Sequence, residues 1–160
     1  MWLKNRAAVV LAVLALVASG AGVRAQTIKE GELAGIKSLK CTFSKSTLVA
    51  WKDGVPEPRI RTTGTLTLDI DEIDAPGGSA ILRSSSGSHD INVQVYGWNI
   101  HFLEVGAGGR IGIATVFAQF STGDRLKAVY SRSDYLPIDL PNFKSEPEVA
   151  QYYGDCEVTR

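Results

Sequence analysis

From Lys40 to Trp51 apolar and polar residues alternate. Leu39, Cys41, Phe43, Val49 and Trp51 share one face, interrupted by Lys45 and Thr47, while Lys40, Thr42, Ser44 and Ser46 share the other. A two-residue period rich in Thr, Val and aromatics predicts a strand with one buried face. The next stretch, 52–58, gathers a glycine and two prolines and predicts a turn or loop. Alternation resumes from Ile60 to Ile70, with Leu66, Leu68 and Ile70 on one side and Thr65, Thr67, Asp69 and Asp71 on the other. Further strands are predicted over Ser79–Arg83, His89–Tyr96, Ile100–Val105, Arg110–Phe120 and Leu126–Ser133. Glycine-rich punctuation separates them at 75–78, 97–99, 106–109 and 121–124.

About seven strands at even spacing predict an all-β fold, a single antiparallel meander closing into a small barrel or sandwich. One segment near the end reads differently. Ser145-Glu146-Pro147-Glu148 has the form of a capping box with proline in the first turn, and Gly154 stands where a helix would stop. A short C-terminal helix over Val149–Tyr153 is therefore expected. Residues 37–160 form the single β domain of this reading, and 26–36 are a candidate flexible arm.

The first 25 residues do not belong to that pattern. Lys4 and Arg6 precede twelve unbroken apolar residues, Ala7–Ala18, and Val23 and Ala25 occupy the positions a signal peptidase reads. The apolar run is shorter than the roughly 20 residues of a bilayer span. The expectation is a cleaved export signal, with Ala25 and Gln26 flanking the cut. The leader holds three basic residues and no acid, so the remaining chain sets 14 bases against 17 acids, a net charge of −3. That balance offers no electrostatic case for nucleic acid or for an anionic membrane surface.

Export changes the meaning of Cys41 and Cys156. An even cysteine count in an oxidising compartment predicts a disulfide, here closing a loop of about 115 residues. No C-x-x-C pair suggests a metal or redox site instead.

Candidate chemistry is sparse. Asp69, Asp71, Glu72 and Asp74 could supply oxygens to calcium, but the run lacks the spacing and glycine of an EF-hand, and a solvated strand end explains it. His89 and His101, with Asp90 or Glu104, are weak metal candidates, since a catalytic zinc needs three protein ligands. Ser86, Ser88, His89 and Asp90 contain the residue types of a hydrolase triad. Neighbours on a strand point to opposite faces, however, and no Gly-x-Ser-x-Gly elbow is present. Gly106-Ala107-Gly108-Gly109 lacks the full dinucleotide pattern and reads as a hairpin turn. No cofactor is expected.

Trp51, Trp98, Phe102, Phe117, Phe120 and Tyr130 are large enough either to fill a core or to line a ligand cavity in an eight-stranded barrel. Trp51, Trp98, Phe102, Phe117 and Tyr130 are the ligand-binding candidates on that second view.

Leu126–Arg132 and the closing Gln151-Tyr152-Tyr153-Gly154-Asp155-Cys156 resemble small exported bacterial proteins that end in a Tyr-Gly-x-Cys tail. The resemblance covers about the last third of the chain. It implies a bacterial source and a periplasmic or extracellular location, and it brings no activity with it. The expectation is an exported, non-enzymatic β domain that binds a small apolar ligand or a protein partner. The alternatives are a structural envelope protein with a filled core and a metal-assisted enzyme.

Overall fold

The computed structural model describes residues 27–29, 31–62, 64–85, 87–135, 137 and 145–159. The expected export signal and its Ala25–Gln26 cut lie outside these residues. Among them are nine strands: β1 (Ser38–Lys52), β2 (Val55–Arg61), β3 (Leu66–Asp74), β4 (Ser79–Ser84), β5 (Gly87–Tyr96), β6 (Asn99–Val105), β7 (Ile111–Phe120), β8 (Leu126–Asp134) and β9 (Glu148–Thr159). From β3 to β9 each strand pairs with the next, β1 pairs with both β3 and β9, and every pairing is antiparallel. The result is a closed eight-stranded barrel, with β2 outside it as a hairpin on the far half of β1. Closure matters physically because it leaves the barrel strands without an open edge for other chains to pair with.

The β1–β9 contact is the seam where the first and last barrel strands meet. Cys41 faces Cys156 in register across it, and a disulfide joins them. The bond spans a sequence separation of 115 and staples the least local pairing in the fold. Such a bond is consistent with an oxidising, exported location.

Strand alternation fills the interior as the pattern predicts. Leu39, Cys41 and Phe43 from β1, Leu68 and Ile70 from β3, and Leu82, Val93, Ile100, Phe102, Val116 and Leu126 from later strands form one buried cluster. Four alanines, Ala80, Ala114, Ala118 and Ala128, are buried among them and make room for the larger side chains. One end, the base, is plugged by apolar residues. A 3-10 turn at Glu32–Gly35 lies against β6 and brings Leu33 and Ile36 into the core beside Ile73. Residues 31–36 of the segment expected as an arm are thus packed against the barrel, and Thr27 bridges to Gln119.

Three expectations need correction. The stretch 52–58, read as a loop, belongs largely to β2. Pro56 and Pro58 pair with Trp51 and Val49 on an edge strand, where a missing N–H is tolerated.

The inward face of β1 also changes part-way along. Phe43 pairs with Gly154, but Lys45 pairs with Tyr153, so Ser44 is an extra residue. A one-residue bulge flips every side chain beyond it. Ser46, Leu48 and Ala50 therefore continue the face of Cys41 and Phe43, while Val49 and Trp51 lie on the other.

The C-terminal helix is absent. Residues 148–159 are β9, bonded on one side to β1 and on the other to β8. Two complete ladders outweigh one capping box. Gly154 has a different task from stopping a helix. A Cβ there would collide with the Thr42 carbonyl and the Phe43 Cα, so only glycine lets β9 approach β1 at the bulge.

Candidate functional site

The end opposite the plugged base is polar, and strand parity explains why. Following the inward face along β6 gives Ile100, Phe102 and then Glu104. Along β8 it gives Leu126, Ala128, Tyr130 and then Arg132. Along β9, read backwards, it gives Cys156, Gly154, Tyr152, Ala150 and then Glu148. Each strand turns from apolar to polar or ionisable at the same level, and these residues ring the mouth of the barrel.

Glu104 is 6% exposed, and it is the buried charged residue among those described. Its Oε2 accepts the Tyr130 hydroxyl at 2.9 Å and its Oε1 accepts Arg110 Nη2 at 3.1 Å. His89 Nε2 lies 3.2 Å from Oε1, within reach as an ion pair when protonated but outside hydrogen-bonding alignment. A buried carboxylate needs such partners, because taking it out of water costs several kcal/mol. Gly112, which pairs with Glu104, keeps the space clear. A Cβ there would run into the Tyr130 ring and hydroxyl and crowd Glu104 Oε2. Burial, and then the hydrogen bond to Glu104, push the Tyr130 phenol well above its ordinary range, so it stands as a protonated donor.

Beside this cluster is an open cleft of about 350 Å³. Ser46, Leu48, Leu66, Ala150 and Tyr152 line it together with Arg61, Arg132 and Glu148. Ser46 and Leu48 reach it because the Ser44 bulge turns them inward. Arg132 Nη2 donates to Glu148 Oε1 at 2.8 Å, and Arg132 Nε is buried without a partner among the described residues. Burial works against the Arg132 charge, but the Tyr152 oxygen and the Glu148 carboxylate outweigh it, and the guanidinium is held charged. Tyr152 packs on Tyr130 with ring centroids 5.8 Å apart, and Tyr130 on Phe43 at 6.2 Å, which ties the cleft wall to the core.

The residues singled out from the sequence are dispersed. His89 faces inward beneath the mouth, whereas His101 lies on the outer face with its Nδ1 3.0 Å from the Thr115 hydroxyl. Asp69 and Asp71 lie on the outward side of β3, where Arg83 Nε donates to Asp71 at 2.9 Å. Among the described residues no group of three His, Cys, Asp or Glu side chains is placed to hold a metal ion.

Of the five aromatic candidates, Phe102 and Tyr130 are buried in the barrel. Phe117 alternates with the inward Val116 and so faces out, Trp51 lies past the bulge on the outer face, and Trp98 is half exposed in the β5–β6 turn. Arg61, Arg132 and Glu148 were missed by sequence reasoning, and Glu104 entered it only as a metal partner. The signal was present in the alternation itself, which carries Glu104 and Arg132 onto faces that are otherwise apolar.

The chain matches no protein-family model and no curated protein sequence.

Proposed function

We propose that this protein is an exported, non-enzymatic β-barrel that binds a small molecule in its polar mouth. The observation that carries the reading is the cleft of about 350 Å³ above a filled apolar core. Small-molecule sites span roughly 300–1,000 Å³, so the cleft suits a compact ligand. Its lining mixes Leu48, Leu66 and Ala150 with charged groups, which favours an amphipathic ligand over the purely apolar one expected from the aromatics. A non-enzymatic role is supported by Glu104. Both of its oxygens are engaged by Tyr130 and Arg110, which accounts for the buried carboxylate as a structural group. Export is supported by the leader pattern of residues 1–25 together with the Cys41–Cys156 crosslink.

The test is native mass spectrometry of protein recovered from the compartment outside the cytoplasm, with amide resonances of the mouth residues followed against metabolite mixtures. The expected result is a mature chain beginning at Gln26 that retains a small species whose addition shifts the mouth amides. A chain that retains nothing and shows no shift at the mouth would overturn the reading.

A second reading, an envelope interaction protein, is favoured by the outer face of β6 and β7, where Val105, Ile111 and Ile113 are 64%, 44% and 39% exposed. A photocrosslinking residue placed at Ile113 in living cells should then trap one recurrent partner, and no adduct would count against it.

A further inference from the structure

We infer that the ligand of the mouth is a small amphipathic carboxylate, its anionic end on Arg132 and Arg61 and its apolar end on Leu48 and Leu66. The inference rests on the reading of the mouth as a small-molecule site and names what that site selects.

Charge comes first. Arg61 and Arg132 line the cleft against one lining carboxylate, Glu148, which is one net positive charge among the lining residues, with Asp134 acting on Arg132 from outside the lining. The Glu104–Arg110 pair beneath is already neutral and changes nothing in that balance. A cation would meet net repulsion, while a monoanion completes the balance.

Donor supply comes second. A guanidinium carries five N–H donors in a fixed fork. Arg132 gives one nitrogen to Glu148 at 2.8 Å, and its Nε is buried with no acceptor among the described residues. Because Nε has essentially no open surface, a ligand oxygen would reach the fork through its exposed part, the side chain being 29% exposed. Arg61 makes no ion pair among the described residues. Carboxylates are well matched to such forks, since their two oxygens accept a bidentate pair.

The third observation separates an organic acid from a bare anion. Leu48 and Leu66 enter the same cleft, and an inorganic ion would leave them uncovered. The Arg132 side of the cleft is also firmly built. Arg132 is opposite Ala150 on β9, and the neighbouring Tyr152 packs at a tilt against Tyr130, so the guanidinium sits on strands rather than on a loop.

The probe is octanoate, titrated calorimetrically into the oxidised mature protein while the amides of Leu48, Leu66 and Ala150 are followed by NMR. Octanamide serves as the neutral isostere and inorganic phosphate as the anion without an apolar end. Octanoate should bind at the mouth, and both comparison probes should bind roughly tenfold or more weakly, as expected for loss of a charge-assisted hydrogen bond or of the apolar contact. Arg132→Gln should weaken octanoate roughly tenfold or more and leave octanamide unchanged, whereas a purely structural role would weaken both together. Glu148→Gln should tighten octanoate by freeing a donor. Arg61→Gln, at an exposed side chain, keeps the test available if Arg132→Gln does not fold. Octanamide binding as tightly as octanoate overturns the carboxylate assignment and leaves the mouth reading standing. Binding of none of the three probes at the mouth also overturns it, and the mouth reading is then decided by the retained species alone.

Discussion

Tyr130 donates its phenolic hydrogen to Glu104 inside the barrel at 2.9 Å, in the space that Gly112 leaves open between them. The bond joins β8 to β6 across β7 and marks the level where the apolar core gives way to the polar mouth. Replacing Tyr130 by Phe keeps the ring and removes the donor, leaving Glu104 short of one partner. The expected cost is about 1–3 kcal/mol, read as a lower urea midpoint at pH 7 with an unchanged slope. An unaltered midpoint would mean that water replaces the hydroxyl at no cost.

The same bond predicts a pH dependence. The folded-state pKa of Tyr130 is raised above its unfolded value of about 10, so the folded state holds this proton more tightly. The contribution is fully present below pH 10 and is lost as pH rises beyond it, at up to about 1.4 kcal/mol per pH unit. Stability curves of the wild type and Tyr130→Phe should therefore run parallel below pH 10 and converge above it. Parallel curves through pH 11 would contradict the assignment.

Gly154 is the point of closest backbone approach at the seam. Its added Cβ would meet the backbone of Thr42 and Phe43, which cannot swing away as a side chain can. Gly154→Ala should cost about 3 kcal/mol, at the upper end for overpacking, and should lower Tm in a calorimetric scan.

The seam disulfide should be among the larger single contributions to stability. Cys41→Ala with Cys156→Ala removes a crosslink closing a loop of 115 residues, for which the chain-entropy model assigns about 4–5 kcal/mol. Thermal unfolding of the double variant measures the loss. Thiol titration of denatured, unreduced wild type should find no free thiol.

Leu33 tests whether the base plug belongs to the core. It is 1% exposed, although it precedes the first strand. Leu33→Ala should cost about 3 kcal/mol by the lost burial and the cavity left behind, seen in urea titration. A cost below about 0.5 kcal/mol would show that residues 31–36 detach in solution.

Much of the barrel was legible in the chain. Leu66, Leu68 and Ile70 fall on one face of β3 as their alternation requires, and the Gly97-Trp98 turn lies where a tight hairpin was expected. The cysteine pair was legible from its even count and the expectation of export. These features depend on local period and turn chemistry, which neighbouring residues determine among themselves.

Other features were decided by contacts between distant residues. Residues 148–153 carry a helix signal, yet they form a strand because β1 and β8 both offer them a ladder. The stretch 52–58 looks like a loop until β1 extends past the barrel and gives residues 55–58 an edge to pair with. The Ser44 bulge is marked in the sequence only by the break in alternation at Lys45 and Thr47; the register of β1 against β9 locates it, and it turns Ser46 and Leu48 into the mouth. The site is the clearest case. Sequence alone determined that Glu104 and Arg132 sit on otherwise apolar faces of their strands. The β6–β7 hairpin and the next strand bring Glu104 to Arg110 and Tyr130, but only closure of the barrel put Arg132 with Arg61 around one cleft, because β8 and β2 come together only when the first and last barrel strands meet.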